Sequence, residues 1–188
     1  LHILSRGQMW DYVKDLTPRL YKDMRYLAAM GPPGGGRNPV DPRFVAQFST
    51  FNLTPPTMEV LDGIYSQILT QYYSPFNGEV KKASSKLTAM TLRLYATIQE
   101  KLPRTPANFH YIFNLRDLGK IYLGLCQATV DKIEDDVQCV RLWRNEVDRV
   151  ITDRLTSEED IKVVRDMQVQ LLREQFPAPA DEVMKDPS

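Results

Sequence analysis

The sequence predicts an α/β piece over residues 1–55 followed by an all-α piece over residues 56–176, with residues 177–188 as a linker. Two observations carry this. Up to Pro55-Pro56 the text consists of short alternating stretches punctuated by glycine and proline, the pattern of strands and tight connections. From Thr57 onward it changes to long runs of 3.6-residue apolar periodicity, several opened by a capping residue and closed by a breaker. No internal repeat is visible.

Taken in order, residues 1–12 suit the end of a helix and "DLTPRLYKD" (15–23) is turn-rich, leading into a strand "MRYLAAM" (24–30). A glycine-rich loop follows, then a short helix "DPRFVAQFS" (41–49), with Asp41 as N-cap and Pro42 at the first helical position. "TFNLT" (50–54) alternates like a strand until the two prolines end it. The first helix of the second piece opens at the Thr57 cap and carries an apolar stripe of Val60, Leu61, Ile64, Ile68 and Leu69. The second runs from about Asn77 to Lys101 with "LTAMTLRLYATI" buried, and "LPRTPANF" breaks the chain with two prolines. The third begins near Asn114. The fourth covers 136–155 with Val137, Val140, Leu142, Val147, Val150, Ile151 and Leu155 inward. The fifth starts at Thr156 or Ser157, where "SEED" supplies a serine cap and first-turn acids, and ends before "FPAPAD".

With 24 basic and 24 acidic side chains the net charge is zero, so nothing points to a nucleic-acid partner. No apolar run approaches the about 20 residues of a membrane span, and no membrane partner is expected. Cys126 and Cys139 stand thirteen residues apart beside only two histidines, which makes neither a zinc site nor a disulfide framework and favours a reducing compartment. The start at Leu1 in helical text and the polar end "KDPS" read as a piece of a longer chain.

Gly31 and Gly36 have the spacing of the glycines in the phosphate-binding motif G-x-x-x-x-G-K-[ST]. The next two positions hold Arg37 and Asn38, which supply neither the lysine nor the magnesium-binding hydroxyl. Pro39 and the fresh helix start at Asp41-Pro42 remove the long helix that would complete the cradle. The motif is incomplete, and the glycines are read as a structural or interface loop.

Four constellations could carry chemistry. Arg43, leading the short helix, either projects outward across a subunit boundary or is a plain surface arginine. Arg116 falls in the first turn of the third helix behind the cap Asn114, where the helix dipole disfavours a cation; it either pairs with an acid such as Asp117 or points at a phosphate. In "RLWRNEVDRVITDRL" the charges Arg141, Arg144, Glu146, Asp148, Arg149, Asp153 and Arg154 read as a solvated face with pairs such as Asp153 with Arg149, and Trp143 as core. His110, alone among aromatics, reads as a packed or capping side chain rather than a catalytic one.

"AAMGPPGGGRNPVDPRF", "FHYIFNLRDLGKIYLGL" and "VRLWRNEVDRVITDRL" together resemble an AAA+ module of a dynein heavy chain, most similar to the third module of the ring in axonemal dyneins. The resemblance covers nearly all of the chain. It implies that residues 1–55 are the C-terminal part of a large α/β subdomain, residues 56–176 its α-helical lid, and residues 177–188 a linker to the next module. The Walker A loop and Walker B acids would precede Leu1, so no complete catalytic set and no metal ligands are expected here, and these residues alone should not hydrolyse ATP. Arg116 in "NLRDL" matches the family's second sensor, which approaches the nucleotide of its own module. Arg43 in "DPRF" matches the arginine finger that faces the neighbouring module's nucleotide. Met30 and Gly31 occupy the first-sensor position, often a polar residue, a departure that favours nucleotide binding or slow regulatory turnover. The implied cofactors are ATP or ADP with Mg2+ in the parent module. The implied partners are neighbouring AAA+ modules of the same heavy chain, other dynein-arm subunits and, through the parent motor, the microtubule. The implied location is the ciliary axoneme, on the cytoplasmic side. The alternative is a structural or regulatory module holding nucleotide without turnover.

Overall fold

The computed structural model describes residues 2–13, 17–31, 38–177 and 183. The chain divides into two compact units, Leu1–Pro55 and Pro56–Ser188.

In the first unit, helix α1 (His2–Arg6) ends at Gly7, whose φ of +62° is the left-handed conformation that closes a helix at little cost to glycine. The Gly7 amide donates to the Ile3 carbonyl at 3.1 Å, and its own carbonyl accepts from Tyr21 at 2.7 Å. That reversal sets up an antiparallel pair, β1 (Gln8–Trp10) with β2 (Pro18–Leu20), in which Met9 faces Arg19. An Arg19–Asp11 ion pair lies beside the ladder. Residues 8–10 are therefore strand, not helix, and the stretch expected to be turn-rich contains a strand at 18–20.

Two expected strands do not form. Residues 24–30 and 50–54 are irregular and pair with no other strand, leaving Leu27 wholly exposed and Phe51 and Leu53 nearly so. Alternation aligns side chains on two faces, but a strand exists only where its backbone groups meet a partner, and β1–β2 is the sole ladder among the described residues. The short helix does form, as α2 (Pro42–Val45), with the Asp41 carboxylate accepting from the Arg43 amide at 2.8 Å. Most of the glycine loop, Pro32 to Arg37, lies outside the described residues.

Among the described residues the second unit is a bundle of five helices: α3 (Met58–Tyr72), α4 (Gly78–Lys101), α5 (Leu115–Leu125), α6 (Asp136–Val150) and α7 (Glu158–Gln175), with a 3-10 turn at Thr152–Arg154. The long α4 is its axis, packing against α3, α6 and α7, while α5 lies on α6 and α3. Leu87, Leu94 and Ile98 of α4 meet Leu118, Ile121 and Leu125 of α5, Val140, Trp143 and Val147 of α6, and Val164 and Leu172 of α7 in one core. Trp143 is fully buried, and its indole N–H donates to the Thr91 hydroxyl at 2.8 Å, so the ring is desolvated without stranding its polar atom.

Two inward faces differ from expectation. On α3 only Leu61 and Leu69 are buried, while Val60, Ile64 and Ile68 remain about half exposed. The bundle takes the Leu61–Leu69 side, where Tyr65 stacks on Tyr122 of α5 with ring centres 4.0 Å apart. On α6, Val137, Leu142 and Val150 are only half-buried, whereas Cys139, Trp143 and the charged Glu146 join Val140 and Val147 inside. Glu146 has room there because it faces Gly124: a Cβ at that glycine would lie 2.0 Å from the Glu146 Oε2.

Ser157 caps α7 without a side-chain hydrogen bond. Of the expected linker, Pro177 and Val183 are described. Val183 is buried, and its carbonyl accepts from Arg144 at 2.8 Å.

Candidate functional site

The most heavily braced backbone near a predicted functional residue is the approach to α5. Prolines 103 and 106 prevent α4 from continuing, and the chain turns back through Phe109–Phe113. The Phe113 carbonyl accepts from Gln99 Nε2 at 3.0 Å, and the same amide donates to the Tyr95 hydroxyl at 2.8 Å. The Tyr111 hydroxyl donates to Asp160 of α7 at 2.9 Å and accepts from the Thr156 amide at 3.3 Å. His110 packs edge-on against Phe109 and Tyr111.

Asn114 then caps α5 through a reciprocal pair of bonds. Its side-chain oxygen accepts from the amides of Arg116 at 2.9 Å and Asp117 at 3.2 Å, while the Asp117 carboxylate accepts from the Asn114 amide at 3.3 Å. The aspartate does not pair with Arg116. Its partner is Arg154, from the 3-10 turn after α6, which donates to Oδ1 at 2.6 Å and to Oδ2 at 3.0 Å, with Lys120 Nζ at 3.8 Å. A third bond runs from Arg154 to the Ile112 carbonyl at 2.8 Å, and its guanidinium lies 5.5 Å over the Phe113 ring. Burial pushes the Asp117 carboxyl upward, but the bonds from Arg154 and the Asn114 amide, with the charges of Arg154 and Lys120, outweigh it and hold the group below its ordinary value. Hydrogen bonding to Asp117 raises Arg154 in turn, against the opposing effect of burial.

Arg116 is consequently exposed, and its side chain has no partner among the described residues. A cation exposed in the first turn of a helix, at the positive end of the helix dipole, is complementary to an anion.

Arg43 is exposed on α2 in the first unit, with its backbone amide in the Asp41 cap and no side-chain partner among the described residues. Met30 is two-thirds exposed and Gly31 half-buried, and neither offers a polar side chain. On α6, Arg149 pairs with Glu146 at 3.4 Å rather than with Asp153, and Arg144 lies 3.7 Å from Asp148. Arg154, expected on a solvated face, instead reaches across to α5. Its partner sits 37 residues away, which no helical spacing could announce. A groove of about 440 Å3 opens beside α5 and α6, floored by Gly124 and walled by Lys120, Glu146, Arg149, Asp153 and Arg154. Arg116 does not line it.

The arrangement fits a phosphate better than a metal ion. Arg116 offers charge-assisted donors on a fixed turn, whereas no group of three His, Cys, Asp or Glu side chains among the described residues could hold a cation. Both cysteines are free thiols, and burial pushes Cys139 up to about 11, so it is inert at neutral pH.

Residues 87–186 match the family model for an AAA+ lid domain, and residues 2–56 match that for a P-loop containing dynein motor region. The chain is similar to human dynein axonemal heavy chain 10, at 44% identity over 98% of this chain and 4% of that protein. It is similar to the dynein-1-alpha heavy chain of the flagellar inner arm I1 complex of Chlamydomonas reinhardtii, at 42% identity over 98% of this chain and 4% of that protein. Mouse dynein axonemal heavy chain 5 matches at 41% identity over 82% of this chain and 3% of its own length. The chain thus spans only about 4% of the length of such curated relatives.

Proposed function

The chain belongs to the AAA+ lid family and is homologous to axonemal dynein heavy chains, and from that premise we propose that it is the nucleotide-sensing lid, with the adjoining end of the α/β subdomain, of an ATP-driven motor module. The observation that carries the reading is Arg116: an exposed cation without a side-chain partner among the described residues, set in the first turn of α5 on a backbone braced by Asn114, Asp117 and Arg154. A rigid turn delivers the guanidinium in one direction, so its bond to a terminal phosphate is formed with little ordering cost. ATP bound in the parent module supplies the polyphosphate, and Arg116 senses its outermost group. Mg2+ and the acids that hold it belong to the rest of that module.

Arg43 serves the neighbouring module, as the arginine finger at the leading edge of α2. Its exposed side chain, without a partner among the described residues and beside an amide committed to the Asp41 cap, supports that role. Met30 and Gly31 place no polar side chain at the first-sensor position, which favours binding or slow turnover over fast hydrolysis. The parent motor acts on microtubules in the ciliary axoneme, and the module sits third in its ring.

The test is nucleotide affinity at each module of the intact motor, with the other sites disabled. Arg116→Ala weakens ATP binding in its own module by about tenfold or more, the loss of one charge-assisted contact, whereas Arg43→Ala acts on the adjacent module. Unchanged affinity at every site and unchanged gliding velocity in both variants would make the two arginines structural.

A further inference from the structure

The chain on either side of Arg116 is held by one guanidinium. Arg154 grips the Ile112 carbonyl, four residues before Arg116, and both oxygens of Asp117, the residue directly after it, while lying over the Phe113 ring. If the aspartate served only the helix cap, its bond to the Asn114 amide could be made at the surface; here its side chain is 8% exposed and committed to Arg154. Resting on the reading of Arg116 as the phosphate sensor, we propose that Arg154 is its positioning residue, fixing the direction in which the first turn of α5 presents the sensing guanidinium.

The geometry calls for arginine in particular. Two parallel N–H bonds to a carboxylate, a third to a carbonyl and a flat face on an aromatic ring exceed what a single ammonium can satisfy at once. The 3-10 turn that carries Arg154 is itself tied to α6 and α7. The preceding Thr152 donates to Asp148 at 2.9 Å, and Asp148 also accepts from Gln168 of α7 at 3.1 Å. The direction of Arg116 is thereby referred to the α6–α7 corner, not to α5 alone.

The experiment is a double-mutant cycle in the full-length motor that carries this lid, titrated with fluorescently labelled ATP while the other modules' sites are disabled. Arg154→Lys keeps the charge and loses the clamp. It should weaken ATP binding by about threefold to tenfold, yet by less than about twofold when Arg116 is already alanine. Thermal melting of the same samples reports stability separately, and a merely structural staple would lower it without coupling to Arg116. Should Arg154→Lys not yield folded protein, Asp117→Asn, which retains the shape of the cap, is put through the same cycle. No effect alone, or an undiminished effect on top of Arg116→Ala, overturns the positioning role while leaving Arg116 as sensor. No effect of Arg116→Ala by itself overturns the sensor reading, and the positioning role with it.

Discussion

Gly124 and Glu146 show what one atom decides. The glycine has no strained backbone; it is required because the Glu146 side chain lies where a Cβ would stand, with Cγ 2.7 Å and Cδ 2.3 Å from it. Glu146 is largely buried and takes long bonds from Asn145 and Arg149, each 3.4 Å, which a displaced side chain would lose. Gly124→Ala should destabilise the helical unit by about 1–3 kcal/mol, the usual range for overpacking. Glu146→Ala in the same protein should recover much of that loss. Denaturant midpoints of the single and double variants would show it, and an unchanged midpoint for Gly124→Ala would mean that Glu146 swings aside freely. At this scale the sequence was a partial guide. Arg116 could be picked out because a cation in a capped first turn breaks a local rule. Glu146 could not, because a glutamate among arginines on a helix reads as surface.

Among the elements, α5 is the best specified locally and the most dependent on its neighbours. Asn114 and Asp117 give it a complete capping box, yet the carboxylate in that box also carries the ion pair that ties α5 to the corner before α7. Asp117 is held below its ordinary value in the folded protein, so its contribution is complete above the usual carboxylate range. It is lost as pH falls below about 4 and on through the lower folded-state value. Hydrogen exchange at residues 114–118, corrected for the intrinsic pH dependence, should therefore lose protection in acid in the native protein but not in Asp117→Asn. Identical profiles would show that the pair does not hold the turn. The elements also mark where periodicity runs out. The stripe on α3 was visible in the text, but Val60, Ile64 and Ile68 share it with Leu61 and Leu69, and only packing chose between the two edges.

For the whole molecule, the division at Pro55–Pro56 separates a unit with a shared apolar core from one whose apolar residues are mostly exposed. The helical unit should fold by itself, because helices α3 to α7 bury a common face. A broad-specificity protease should cut first within residues 24–30 and 50–55, which form no ladder, and last within 58–175. Early cleavage inside α4 or α6 would contradict this division of stability.

By itself the sequence determined the helices of the second unit, their order and nearly all their boundaries, since caps, prolines and 3.6-residue periodicity act within a few residues of chain. It also determined the cap at Asp41 and the unusual placement of Arg116. Tertiary structure alone decided that residues 24–30 and 50–54 have no strand partner among the described residues, that α3 buries one edge of its stripe, and that Arg154 crosses 37 positions to reach Asp117. The physical reason is common to all three. Capping and periodicity are set by neighbours along the chain, whereas strand pairing, choice of face and ion pairing are set by neighbours in space.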